Sequence, residues 1–188
     1  DSLGCLDSDG DGWSEASDSY PNDKLLWSDD DGDGYADQSG TVLSDDCPEV
    51  AGTSIWSLLG CIDTDGDGWA DTEDEYPLDV SQWRDTDEDG YGDNADGTDG
   101  DLCPLQEGYS AIDRLGCPDA DEDGYSDPAD AWTVDEGADA FPSDDSQWRD
   151  SDLDGFGDNP APAKMADVCP VTHGTSTEDR LGCPDTDD

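Results

Sequence analysis

Basic residues are almost missing from this chain: six Lys and Arg, one His and one Met stand in 188 residues. So few cations exclude the clustered Lys and Arg that phosphate contacts require, and nucleic acid and anionic membrane surfaces drop out as partners. No apolar run is long enough to cross a membrane. Hydrophobic residues make up only 31% of the chain, so a shared apolar core large enough to offset chain entropy is not expected. A single histidine, His173 in the connector "VTHGTSTED", gives no support to a Ser-His-Asp triad and reads as an exposed loop residue. With 54 acids, any pair of carboxylates is uninformative as a glycosidase signature, and the sequence is read as non-enzymatic. Asn22, Asn94 and Asn159 all lack the N-glycosylation sequon, which leaves connector Ser and Thr as the places for O-linked sugar.

What is abundant is acid. The formal charge of -48 would expand the chain unless small multivalent cations condense it. The string Leu-Gly-Cys recurs at Leu3, Leu59, Leu115 and Leu181, and divides the chain into repeats over 3–58, 59–114 and 115–180, with the start of a fourth over 181–188. Each repeat runs from Leu-Gly-Cys through an acidic loop, an aromatic-Pro pair (Tyr20-Pro21, Tyr76-Pro77, Phe141-Pro142), a Trp (Trp27, Trp83, Trp148) and a second acidic loop to Cys-Pro. The third is longer, and the segment "AWTVDEGADA", 131–140, is read as a surface insertion.

The six acidic loops obey D-x-D-x-D-G-aromatic-x-D/E. Alternating Asp at positions 1, 3 and 5 turns three carboxylates inward, Gly at 6 permits the bend, and positions 7 and 9 add a carbonyl and a further ligand; this is the oxygen set of a calcium-sized cation, and magnesium, with its stricter octahedron, fits less well. The expected ligands are Asp7, Asp9, Asp11 and Glu15; Asp29, Asp31, Asp33 and Asp37; Asp63, Asp65, Asp67 and Asp71; Asp85, Asp87, Asp89 and Asp93; Asp119, Asp121, Asp123 and Asp127; and Asp150, Asp152, Asp154 and Asp158. Position 12 adds Asp18, Asp74, Asp96 and Asp130, whereas Gly40 and Ala161 stand there in the other two loops, which must close through Asp45, Asp46 or Asp167. These positions use 28 of the 54 acids. Six divalent ions would only bring -48 to -36, so further ions shared with flanking acids such as Asp23, Asp79 and Asp144 are expected, about six to twelve in all.

These loops, linked by Cys-Pro segments, resemble thrombospondin type 3 repeats and their relatives in bacterial and archaeal surface proteins. The resemblance spans essentially the whole chain. It implies an extracellular, calcium-threaded rod of mostly irregular backbone in which ions replace an apolar core. The chain departs from that pattern in placing cysteine outside the loops and an aromatic at every position 7 (Trp13, Tyr35, Trp69, Tyr91, Tyr125, Phe156). EF-hands and dockerins share the loop, but no flanking helical periodicity accompanies it here.

The interval from each Cys-Pro cysteine to the next Leu-Gly-Cys cysteine is 14 every time, while the other intervals vary. Constancy beside a variable neighbour suggests Cys47–Cys61, Cys103–Cys117 and Cys169–Cys183, each closure stabilising by about 3 kcal/mol in the chain-entropy model. The alternative register, beginning Cys5–Cys47, also leaves one cysteine over. No C-x-x-C pair suggests zinc. Disulfides point outside the cell, and the odd cysteine with a seventh loop broken off at "CPDTDD" suggests a segment of a longer array.

The Pro-x-Asp-x-x-x-Trp segments are expected to form short helical turns, with Pro at their entry. The aromatics, such as Trp69, Tyr76, Trp83 and Tyr91, should pack local clusters, leaving Trp56 and Trp132 as the better candidates for exposed contacts. Two functional expectations follow: a calcium-stiffened shaft of a surface appendage or filament associating with copies of itself, or a spacer or adhesion module of a larger surface protein, with glycans as further partners. An ion buffer or mineral nucleator is weaker, having no need of ordered disulfides.

Overall fold

The computed structural model describes residues 4–185; Leu3 and the last three residues of the fourth repeat, 186–188, lie outside the described residues. Among the described residues the backbone forms no helix and no extended strand, only turns, bends and four isolated bridges. That is the consequence of composition: Gly, Pro and Asp recur too often for any helix to propagate, and little apolar surface is present to reward one. The chain divides into two compact units, Asp1–Arg84 and Asp85–Asp188. The first carries three acidic loops and one disulfide, the second three loops and two disulfides.

The cysteines pair as Cys47–Cys61, Cys103–Cys117 and Cys169–Cys183, each with Cα atoms about 5 Å apart, and Cys5 is free and exposed. The fixed 14-residue interval was therefore the closed one. Each ring is tightened around a buried serine. Ser54, Ser110 and Ser176 donate their backbone N–H to the second cysteine's carbonyl and accept from the glycine of Leu-Gly-Cys. Cys61, Cys117 and Cys183 are buried there, so the disulfide rings are three of the few dry places in the molecule.

The Pro-x-Asp-x-x-x-Trp segments are not helical. In the first repeat Asp23 bonds back to Tyr20 and Leu26 to Asp23, two successive turns instead of a helical one, and the same pair recurs at Tyr76, Asp79 and Gln82 and at Phe141, Asp144 and Gln147. An aspartate side chain replaces the continuing ladder: Asp23, Asp79 and Asp144 each accept the backbone N–H two residues on, an Asx turn that competes with helix. The second turn delivers a buried residue just before the Trp: Leu26, Gln82 and Gln147, all 2% exposed or less. Gln147 shows why a polar residue serves: its amide donates to the carbonyls of Asn159 and Lys164 and accepts from the Asn159 N–H.

Aromatic packing is local. Trp13 stacks on Trp27 at 6.5 Å between centroids, and Tyr125 on Trp148 at 4.9 Å, in each case joining position 7 of a first loop to the Trp that precedes the second. Trp56 is 67% exposed, as expected, though its indole lies over Gly68. Trp132 is half-buried, with the Arg114 guanidinium 5.4 Å over its ring, and is not a free surface aromatic.

The extra residues of the third repeat also differ from expectation. They leave after Asp127, make the small bridge Ala129–Trp132, and return where the Asp139 N–H bonds to the Ser126 carbonyl. Asp139 and Ala140 thus belong to the repeat itself and not to the 131–140 insertion.

Candidate functional site

All six loops share one internal scaffold. The position 1 aspartate accepts the N–H groups of positions 4 and 6 on its two oxygens, at 2.7–3.2 Å, in every loop from Asp7 to Asp150. Position 5 accepts the N–H of the aromatic at position 7: Asp11 from Trp13, Asp33 from Tyr35, Asp67 from Trp69, Asp89 from Tyr91, Asp123 from Tyr125 and Asp154 from Phe156. These bonds curl the backbone so that positions 1, 3 and 5 converge. In the loops beginning at Asp7, Asp29, Asp63 and Asp85 the three carboxylates each offer an oxygen within 4.8 Å of the others.

Position 9 has a second occupation. Asp71, Asp93 and Asp158 each accept both the N–H and the hydroxyl of position 2 (Thr64, Thr86, Ser151), Asp127 accepts the Ala120 N–H, and Asp37 accepts the Asp30 N–H and the hydroxyl of Ser28, the residue before its loop. In these five loops position 9 staples the loop across its mouth.

Position 12 is where the structure departs most from the sequence reading. Asp96 and Asp130 are exposed. Asp101 and Asp139, 1% and 0% exposed, face the carboxylates of those two loops instead. With Asp18 and Asp74 closing the first and third loops, and Asp45 and Asp167 facing the second and sixth, every loop has one closing aspartate. All six arrive the same way: Oδ1 accepts the N–H two residues on, at 2.6–2.7 Å, from Tyr20, Cys47, Tyr76, Cys103, Phe141 or Cys169, each followed by Pro. In the second loop of each repeat a parallel bridge (Ala36–Ser44, Gly92–Gly100, Gly157–Ala166) swings this aspartate back. The signal was in the sequence as Asp-x-aromatic-Pro alternating with Asp-x-Cys-Pro, six times. Of the flanking acids, Asp144 is held by the hydroxyl and N–H of Ser146 and then by Lys164 at 3.3 Å, which lowers its pKa. Asp46 instead accepts the Leu59 N–H.

The loops contain carboxylate oxygens that are buried and have no donor. Position 3 has at least one in all six (Asp9, Asp31, Asp65, Asp87, Asp121, Asp152); so do the closing residues Asp45, Asp101, Asp139 and Asp167, and Asp11, Asp67 and Asp123 at position 5 of the first loops. In the second loops position 5 is capped: Asp33, Asp89 and Asp154 accept the N–H of Gly52, Gly108 and Gly174 in the disulfide rings. Buried acceptors without donors cost free energy, more when charged, unless a cation satisfies them. Apart from the His173 ring nitrogen beside the sixth loop, the donor set is all oxygen and hard, and the residues present fit a calcium-sized ion.

The electrostatics carry the same message. Burial pushes Asp139 up to about 7, with Asp123, Asp121 and Asp127 adding repulsion. Burial also lifts Asp101 and Asp123 to about 6, helped by their loop neighbours. A carboxyl raised in the fold above its unfolded value costs nothing when protonated in both states and destabilises increasingly as pH rises from the unfolded value to the folded one. Chain stripped of divalent cations is therefore expected to be more compact near about pH 5 than near about pH 8, the change falling between the ordinary carboxylate range and about 7. Small-angle scattering across that range checks it, and greater compactness at the alkaline end would contradict the buried-carboxylate picture.

No family model matches the chain, and no curated protein matches it. Three disulfides mark an oxidising environment, and no helix among the described residues is long and apolar enough to cross a membrane.

Proposed function

We propose that this chain is an extracellular calcium-binding structural protein, its loops acting as ion cages that take the place of a hydrophobic core. The observation that carries the reading is the sixfold recurrence of a closing aspartate folded back over a loop that already holds an unpartnered buried carboxylate oxygen. Acidic turns that serve only as solvated surface have no reason to bury such atoms. The likeness to thrombospondin type 3 repeats supports the same reading, as does a charge of -48 that only multivalent counterions offset. In this role the repeats form a rod that stiffens on ion binding, the shaft of a surface appendage or filament. About six to twelve ions are held at saturation.

Calorimetric calcium titration of site variants tests the cages. Asp101→Asn and Asp139→Asn should each weaken one site at least tenfold, whereas Asp96→Asn and Asp130→Asn should leave the isotherm unchanged. Equal effects from all four would remove the closing-aspartate argument. Electron microscopy in millimolar calcium then separates shaft from spacer. Long uniform fibres that fall apart on chelation fit the filament; short discrete rods that merely lose stiffness transfer the reading to a spacer of a larger surface protein, and residual negative charge, which resists lateral assembly, favours a single-file rod.

A further inference from the structure

The sixth loop differs from the other five in one atom type. His173, the only histidine, offers a ring nitrogen that lies with one carboxylate oxygen each of Asp152 and Asp154 in a group whose members are all within 4.8 Å of one another. The placement is built by the repeat. The Gly174 N–H donates to Asp154 at 2.9 Å, as the Gly108 N–H does to Asp89 and the Gly52 N–H to Asp33, so each disulfide ring holds the residue before its glycine above a second loop. That residue is Ala51 in the first repeat, Glu107 in the second and His173 in the third. Alanine supplies no ligand, and Glu107 is bonded to the Tyr109 hydroxyl. Only the third repeat brings nitrogen.

The polar atoms around this group ask for a cation independently of the acidic cluster. Asp167 is 6% exposed, faces Asp154, Asp152 and Asp150, and has an Oδ2 without any donor. Both oxygens of Asp152 are likewise buried and unpartnered. The geometry points to a mixed nitrogen-oxygen site, His173 with Asp152, Asp154 and Asp167, that takes one divalent transition ion of the zinc class in preference to calcium. Imidazole suits such ions, whereas calcium draws its ligands from oxygen. Zinc binds His nitrogen and Asp oxygen at about 2 Å, placing tetrahedral ligands roughly 3.3 Å apart. The trio needs to close by no more than about 1.5 Å, and the exposed His173 ring is free to supply that movement. This assignment goes beyond the calcium reading: it concerns a different ion at one loop, and does not require the other five to bind calcium.

A single histidine makes the test direct. In proton NMR of the intact chain its two ring C–H signals are the only imidazole resonances, so zinc arrival at His173 is read without assignment. With calcium in large excess, one equivalent of zinc should shift both signals to a single end point. By calorimetry under the same conditions, the zinc affinity should fall at least tenfold in His173→Gln and in Asp152→Asn. The near-UV spectrum of His173→Gln in calcium should match the parent, which separates lost ligation from lost fold. Ring signals that ignore zinc, or His173→Gln binding zinc as tightly as the parent, would overturn the assignment. Should the chain bind no calcium at all, the zinc titration is repeated without calcium, where a shift of the ring signals upholds this site although the function proposed above fails, and an unmoved ring sinks both.

Discussion

Removing divalent cations at neutral pH is expected to convert the chain from ordered repeats to an expanded polymer, its radius of gyration moving toward the roughly 46 Å of an unfolded chain of this length. The size of the effect follows from linkage. A ligand that binds only the folded state contributes about 2.7 kcal/mol per site at a hundredfold excess over its Kd, so six cages supply on the order of 16 kcal/mol, at the upper edge of what a whole folded domain retains. The large buried apolar side chains are too few to compensate: among the described residues Leu26 is the only one 2% exposed or less, while Leu78, Val42, Leu105 and Val171 are about four-fifths exposed or more. The disulfides survive chelation and keep each ring short, so the rings persist as knots in a loosened chain. Scattering and near-UV circular dichroism of the tryptophans, before and after chelation, measure both parts. Unchanged profiles would mean that the turns and rings suffice, and the ion-cage reading would fall.

The pattern of loops was legible from spacing alone, because positions 1, 3, 5, 6, 7 and 9 are local and each residue's role depends on neighbours within nine positions. The disulfide register was legible for a similar reason, a constant interval beside a variable one. Closure was not. Asp101 and Asp139 lie 16 and 20 positions after the start of their loops, beyond any fixed-offset rule, and reach them through the Gly92–Gly100 bridge and through the excursion that returns at Ser126. Counting twelve positions forward landed on Asp96 and Asp130, acids with no burial to mark them. His173 was missed because its ligand role depends on Gly174 docking on Asp154, 20 positions away. Position 4 carries a subtler lesson: it adopts positive φ in all six loops, filled by Gly10, Gly32 and Gly66 in the first unit but by Glu88, Glu122 and Leu153 in the second. The motif admits Glu and Leu there as well as Gly, the backbone staying left-handed while φ moves from 82–84° at the glycines to 60–65° at the larger residues.

Gly116→Ala should be strongly destabilising to the second unit. Gly116 sits at φ +71° inside Leu-Gly-Cys, and a Cβ built on it overlaps the Asp101 carboxylate, the closing group of the fourth loop. The left-handed backbone costs an alanine about 1–2 kcal/mol, and overpacking a fixed neighbour about 1–3 more. Asp101 cannot step aside cheaply, because its Oδ1 is bonded to the Cys103 N–H and its own N–H to Gly92. Gly90→Ala is the control: φ there is +98° with nothing within 4 Å of the added methyl, so only the backbone cost remains. Thermal melts in calcium should rank Gly116→Ala below Gly90→Ala, which lacks the overlap. The cause is separable by a double-mutant cycle. If the overlap with Asp101 is responsible, Asp101→Ala should cost much less on the Gly116→Ala background than on the parent, since the clash and the ion ligand disappear together. Additive losses would show that the glycine is required for its backbone alone, and that ring and cage are coupled less tightly than their packing implies.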